Sequence, residues 1–367
     1  MRIFKPRSIA RPRWRKRFVR VHSYLSIAAA SLWLIQAMTG VLIVFHWQIE
    51  DATIAGRHAM TDLHAIESRL IRLAPAGSGR TIVSVWTTGG DPDRYDVTVS
   101  AAGKQRAVRI AGDGTVLRDH NGADLSWSDT MVVMHQTLLA GEFGGWIVGI
   151  SGALLLSNLV FGLIAGWPQP GTWRRAIVPI RIGGRTARTY SWHRALGLMG
   201  AVPALLLVSA GVLLAFKDGT GVLVGFVPVT MAAQPGRPVI GFETAVKTAQ
   251  RAIPGSRVSA VASMPSFDDA TFRIQLIAPG ELRRAYGTSA VFVDAVTGRV
   301  RGVYRATAGP PGNVFIDTLY AIHTGELAST IGRVLVMVTG LWLATMIFLG
   351  LMLWQRRRNA RRGKMSA

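Results

Sequence analysis

The feature that most constrains this chain is the way four long apolar runs alternate with blocks of unopposed positive charge. The runs lie near residues 21–47, 146–167, 193–216 and 331–354. Each reaches the about 20 largely apolar residues that a bilayer-crossing helix requires. Residues 1–20 hold nine Lys or Arg, 168–190 hold five and 355–367 hold six, with no acid in any of these segments. The blocks carry twenty of the net charge of +22, so the remainder of the chain is nearly neutral. Charge runs of this density also suit nucleic acid. Here each block abuts an apolar run, the arrangement that the positive-inside bias gives to cytoplasmic loops. The expected surroundings are therefore membrane lipid and not nucleic acid. Trp47, Trp146, Trp167, Trp192 and Trp354 fall at run ends, where indoles favour the headgroup zone.

The expectation is a multi-pass protein of the bacterial inner membrane with both termini cytoplasmic. A basic tail at 1–20 leads into a first transmembrane helix at 21–47 and a periplasmic unit at 48–134. A periplasmic helix and second transmembrane helix occupy 135–167, and a cytoplasmic basic loop occupies 168–192. The third transmembrane helix at 193–216 precedes a second periplasmic unit at 217–322. A periplasmic helix and fourth transmembrane helix at 323–354 end in the basic tail at 355–367. The first run is too long for a cleaved signal peptide and no small-residue cleavage site follows it. Both periplasmic units read as α+β. Helical spacing is expected at Leu63–Leu73 and Phe242–Ala252. Alternation marks strands at 81–86, 95–100 and 107–110, then at Thr271–Ile277, Ser289–Asp294 and Val300–Tyr304, the last two joined at Thr297-Gly298.

An internal repeat orders these pieces. His22, Gly40 and Phe45 recur as His193, Gly211 and Phe216 at an offset of 171 residues. Asp129, Thr130, His135, Gly152 and Gly162 recur as Asp317, Thr318, His323, Gly340 and Gly350 at an offset of 188. The chain thus reads as an all-α transmembrane bundle of four helices in two pseudo-symmetric repeats, each carrying a periplasmic α+β domain. The growth of the offset places about 17 additional residues in the second periplasmic unit, around 219–237.

With no Cys, the chain can form no disulfide, no Cys-ligated iron–sulfur cluster and no C-x-x-C-H haem attachment. Histidine is then the leading ligand for any redox centre. Four of the eight histidines are matched by the repeat, His22 with His193 and His135 with His323. In a pseudo-symmetric bundle each pair offers two imidazoles to one haem iron, the first on the cytoplasmic side and the second on the outer side. On an unbroken helix Gly40 shares the face of His22, and Gly197, Gly200, Ala204 and Gly211 continue the face of His193. Such small residues leave space for a flat macrocycle, and they equally let two helices pack closely with no cofactor. A straight helix from His22 to His46 rises about 36 Å at about 1.5 Å per residue, enough to put one centre near each membrane face. His46 breaks the symmetry, because its repeat position is Lys217. It reads as an alternative ligand on the outer side, a substrate contact or an interface residue. His58, His64 and His120 read as surface histidines.

The matched residues carry a resemblance. Met38-Thr39-Gly40 after His22, His135 followed by Gly141-Glu142-Phe143-Gly144-Gly145, Trp192-His193-Arg194, and His323-Thr324-Gly325-Glu326 with Thr339-Gly340 resemble the PepSY-associated transmembrane-helix family. The resemblance spans nearly the whole chain, and within the family it is to the inner-membrane siderophore reductases. It implies PepSY-like periplasmic domains and two non-covalent b-type haems. His22 with His193 and His135 with His323 would ligate the haem irons, and Arg20 and Arg194 would meet propionates. The implied substrate is a ferric siderophore, ferrioxamine being the first to compare. Two departures from the family pattern, Gln136 after His135 and the run from Asn158 to Gly162, read as lying away from the ligands. The electron donor is unidentified: the inner loops are too short for a flavin or nicotinamide domain, and no glycine motif for a nucleotide is present. The other reading is a non-catalytic, membrane-anchored PepSY-type binding or regulatory protein. An intact-siderophore transporter is weaker, since no acidic residue interrupts an apolar run.

Overall fold

The computed structural model describes residues 13–54, 58–120, 126–180 and 182–363. Of the basic segments, residues 1–12, Arg181 and residues 364–367 lie outside the described residues. The chain opens with α1 (Arg13–Ala28), α2 (Ala30–Ile43), α3 (His46–Thr53) and α4 (Leu63–Leu73). Strands β1 (Arg80–Thr87), β2 (Arg94–Ala101), β3 (Lys104–Ala111) and β4 (Val116–His120) follow. Next come α5 (Trp127–Thr137), α6 (Gly141–Gly166), α7 (Trp173–Ile177), α8 (Arg185–Ala215), α9 (Lys217–Val224) and α10 (Phe242–Ala252). Strands β5 (Arg257–Ser263), β6 (Thr271–Ile277), β7 (Ser289–Asp294) and β8 (Val300–Tyr304) precede α11 (Pro311–Thr324) and α12 (Ser329–Gly363). Contacts divide the chain into a helical unit, residues 1–41, 134–215 and 335–367, and a sheet unit, residues 42–133 and 216–334.

In the helical unit α6, α8 and α12 are long and apolar enough to cross a membrane. Helices α1 and α2 pass the same test only as a pair, bent by 69° at Ala29. The chain is thus a membrane protein by composition and helix length. The helices turn large apolar side chains outward, among them Ile35, Ile150, Leu154, Val202, Leu206 and Phe348, and bury small ones, among them Ala30, Ala37, Ala195, Ala201 and Ala204. That inversion suits lipid, where helix association depends on close packing and not on water exclusion. Indole N–H groups fasten the helices: Trp33 donates to the Ser151 carbonyl at 3.1 Å and Trp342 to the Leu196 carbonyl at 3.0 Å. The bend at Ala29 overturns the unbroken-helix argument. The straight rise from His22 to His46 does not apply, and Gly40 no longer shares a face with His22.

The sheet unit is one eight-stranded antiparallel sheet of order β4-β3-β2-β1-β5-β6-β7-β8. The sequence reads as separate α+β units, but β1 and β5 join the two segments through Val85–Val261 and Trp86–Ala260. Helices α4 and α10, with Ile253 just after α10, contribute Ile66, Leu70, Val246 and Ile253 to a single core over Val97, Ile110, Phe272, Ile274 and Val291. Truncating such fully buried side chains costs about 2–5 kcal/mol each. Two strands had no clear sequence signal. In β4 the run Val-Leu-Arg-Asp-His is short and charged, as edge strands often are. In β5 the small residues of Arg-Val-Ser-Ala-Val-Ala-Ser are buried on both faces at the centre, which erases alternation.

Candidate functional site

Within the helical unit a partly open cavity lies between α1, α6, α8 and α12. His22 and His193 line it, their ring centres 6.2 Å apart and their planes inclined by 56°. Two imidazole nitrogens bound at about 2 Å to opposite sides of one metal place collinear ring centres about 6.3 Å apart. The observed centroid spacing is compatible with that geometry.

The chain fixes these rings with backbone and glycine. His22 Nδ1–H donates to the Asn158 carbonyl at 3.0 Å, so Nε2 carries the lone pair. Metal-binding histidines are ordinarily oriented by such a second hydrogen bond. The Asn158 side chain donates to Ser26 Oγ at 2.9 Å, holding α6 to α1. Gly162, one turn on, lies under the His22 ring: a Cβ there would stand 2.9 Å from Cε1. Gly350 lies under His193, where a Cβ would stand 3.6 Å from Cε1. Repeat-equivalent glycines therefore seat repeat-equivalent histidines. The expectation that the Asn158–Gly162 run lies away from the ligands is wrong, because both its ends touch His22. His193 Nδ1 is buried with no hydrogen-bond partner, an orphaned polar atom in a cavity that already presents a second imidazole. The residues present fit a planar, bis-imidazole-ligated haem.

Cations at this cavity come partly from where they were expected. Arg194 lines it and donates from Nε to the Gly166 carbonyl at 3.0 Å. Arg20 lies on the exposed side of α1 and is not among the lining residues. Arg357 lines the cavity as well, its guanidinium 5.7 Å from the Tyr190 ring centre. Sequence reasoning missed Arg357, since one more arginine in a basic tail carries no distinguishing signal.

His135 sits in the last turn of α5, in the helical unit. Its Nδ1 is 3.1 Å from Thr39 Oγ1, which donates its single proton to the Ile35 carbonyl at 2.7 Å. Gly40 gives this ring its space: a Cβ there would stand 3.1 Å from Cε1. Thus Thr39-Gly40 serves His135, and the kink at Ala29 is what redirects it. His323 is half-buried in the last turn of α11, in the sheet unit, just before Gly325 turns left-handed at φ 81°.

His46 begins α3 and borders a separate polar cavity of the sheet unit. Its ring lies 4.6 Å from that of Trp47, and its Nδ1 bonds the Ile43 carbonyl. Arg109 is the centre of that cavity. It grips Asp96 with two hydrogen bonds of 2.7 and 2.8 Å and lies 3.4 Å from Glu50 and 3.7 Å from Asp51. Burial opposes the charge of Arg109, but Asp96, Glu50 and Asp51 outweigh it and raise its pKa. Burial raises Asp51 above the usual carboxylate value, against Thr88, Arg109 and Arg94, which favour its charged form. Tyr286 stands edge-on to both Trp47 and Trp86 at 5.4 and 5.5 Å, and burial raises its hydroxyl pKa. Of the other histidines, His58 and His64 are exposed, beside Asp91 at 2.7 Å and Glu243 at 3.3 Å, while His120 is described only as the backbone end of β4. No group of three metal-ligating side chains occurs among the described residues.

No curated protein matches the chain. The family described as the PepSY-associated TM region matches residues 19–357, which takes in all four repeat-matched histidines, and the chain belongs to that family.

Proposed function

We propose that the chain is a dihaem b-type reductase of the bacterial inner membrane that reduces Fe(III) in a periplasmic ferric siderophore. In this reading its four transmembrane helices form two pseudo-symmetric repeats, both termini are cytoplasmic, and the sheet unit faces the periplasm. One observation carries it: His22 and His193 face one another at ligand spacing across a cavity, each seated on a repeat-equivalent glycine.

Bound there, a haem supplies a one-electron Fe(III)/Fe(II) couple within the membrane. The chain's part is to hold and orient. His22, its Nδ1–H committed to Asn158, presents Nε2, and His193 presents the opposing imidazole. Arg194 and Arg357 supply cations suited to propionate carboxylates. The second pair, His135 with His323, rests on the repeat and on the Thr39 hydroxyl 3.1 Å from His135 Nδ1, which helps to hold that ring. Hard oxygen ligands of a siderophore favour Fe(III) over the larger and less charged Fe(II), so one-electron reduction loosens the metal. The family resemblance to ferrioxamine reductases makes a hydroxamate siderophore the first substrate to try. The electron donor is a separate reductase, a quinol or a small molecule.

The test is an absorption spectrum of the purified full chain, oxidised and dithionite-reduced, with haem quantified per chain. The expected result is a bis-histidine b-type spectrum at two haems per chain, falling to one in His22→Ala and in His193→Ala. Unchanged haem content in both variants would sink the inner-site assignment. A colourless protein that takes up no added haem would instead favour the membrane-anchored binding or regulatory protein.

A further inference from the structure

The segment where the second repeat exceeds the first begins in α9, and the redox reading makes no use of it. Helix α9 starts at Lys217, two residues after the membrane-crossing α8 ends at Ala215. One side of α9 is fully employed. Thr220 and Gly221 are buried. Gly312 of α11 approaches the backbone of Val224 and Gly225 so closely that a Cβ would not fit. Gly225 then turns left-handed at φ 72°, and the Phe226 side chain folds back on Gly221. Asn313 clamps the next residue from both sides, accepting from Val227 N–H at 2.9 Å and donating to its carbonyl at 2.8 Å.

That clamp fixes the backbone while leaving four nearby apolar side chains uncovered. Val222 is 83% and Leu223 87% exposed, and Phe226 and Val227 are 42% and 52% exposed. Single exposed apolar residues are ordinary. A contiguous patch held outward by a pinned backbone is not. The corresponding stretch after the first apolar run has fewer large apolar side chains exposed. At the offset of 171, Val222 and Leu223 correspond to Asp51 and Ala52 in α3. The Asp51 side chain is only 10% exposed and is held by Thr88 and the arginine cluster. At the position where α3 places an inward-turned aspartate, α9 places an exposed valine, and at the next an exposed leucine where α3 has only an exposed alanine.

We propose that the C-terminal end of α9 and the turn after it form a membrane-surface anchor, with Val222, Leu223, Phe226 and Val227 inserted at the headgroup–acyl boundary. Covalent continuity commits the occupant to lipid: a helix beginning two residues beyond a bilayer-crossing helix leaves the membrane where that boundary lies. Exposed Lys217 and Asp218 in the first turn give α9 the polar side that an in-plane helix presents to water and headgroups. The proposal does not depend on the haem reading.

The absence of cysteine makes the test direct. Leu223→Cys and, separately, Val222→Cys would be labelled with an environment-sensitive fluorophore in the full chain, reconstituted in phosphatidylcholine nanodiscs. Arg299→Cys, on the exposed hairpin between β7 and β8, is the control. The expected result is blue-shifted emission at 222 and 223, with several-fold stronger quenching by lipids bearing a shallow nitroxide than at 299. Labels at both positions that respond to aqueous iodide as strongly as the control, and not to nitroxide lipid, would overturn the anchor. They would leave the patch to a protein partner or a second copy. Testing two positions separates a local disturbance by one label from a true result.

Discussion

In the helical unit His22 is held by a carbonyl oxygen and seated on a glycine, with no charged partner. In the sheet unit Arg109 is held by three carboxylates, with 13% of its side chain exposed. The first site is ordered by shape and backbone dipoles, and the second by full charges that neutralise one another. Each choice follows from its surroundings. Among apolar helices an uncompensated charge is costly, so orientation is left to neutral acceptors and close approach. Where water and a sheet's polar edges are near, buried charge is tolerable if every member is paired. The contrast implies that the first site tolerates loss of hydrogen bonds but not added volume, and the second the reverse.

The largest effect should come from unbalancing the charges. Arg109→Met fills a similar space but leaves Glu50, Asp51 and Asp96 facing one another, and should cost about 3–5 kcal/mol, as breaking a buried pair does. Denaturant unfolding followed by the fluorescence of Trp47 and Trp86 reads it, and a loss under about 1 kcal/mol would mean that the cluster is solvated like a surface pair. Added volume is the next test. Gly162→Ala sets a methyl 2.9 Å from His22 Cε1 and should cost about 1–3 kcal/mol and, on the haem proposal, lower the amount of haem bound. Gly350→Ala, with its methyl at 3.6 Å from His193, should be milder in the same haem assay. Equal losses at the two positions would show that shape does not order the site.

Removing one hydroxyl should matter less. Thr39→Val deletes the partner of His135 Nδ1 at a cost of about 0.5–1.5 kcal/mol. It should shift the midpoint potential of the haem that His135 is proposed to ligate, and Thr39→Ser should restore it. The smallest effect is a pH slope. Because burial raises Asp51 above its ordinary value of 3.8, the folded chain keeps that proton where the unfolded chain has lost it. The associated stability is full below 3.8 and declines as pH rises through the higher folded value. Asp51→Asn should flatten the stability profile across that window, and an unchanged slope would show that Asp51 is not the group responsible.

Much of the fold was legible locally, while the Arg109 cluster was not read from the sequence. Phe242–Ala252 and Thr271–Ile277 could be read residue by residue because an amphipathic period and an alternating one are short-range properties. The histidines stood out only through the repeat, since a lone histidine has no pattern of its own. The run from Asn158 was noticed, but its part in orienting His22 was not, because that part is played by a backbone carbonyl, which every residue possesses. Arg357 escaped because charge density hides the individual cation.

The sequence alone determined that this is a membrane protein with apolar helices, basic flanks, α+β segments and two matched pairs of histidines, because composition, periodicity and repeat spacing are written along the chain. Only the tertiary structure decided that the two strand sets share one sheet through Val85–Val261 and Trp86–Ala260, and that a 69° bend carries Thr39-Gly40 to His135. The physical reason is range. Edge-to-edge pairing and the direction of a helix after a bend depend on which distant backbone groups and surfaces meet, and no local periodicity encodes that meeting.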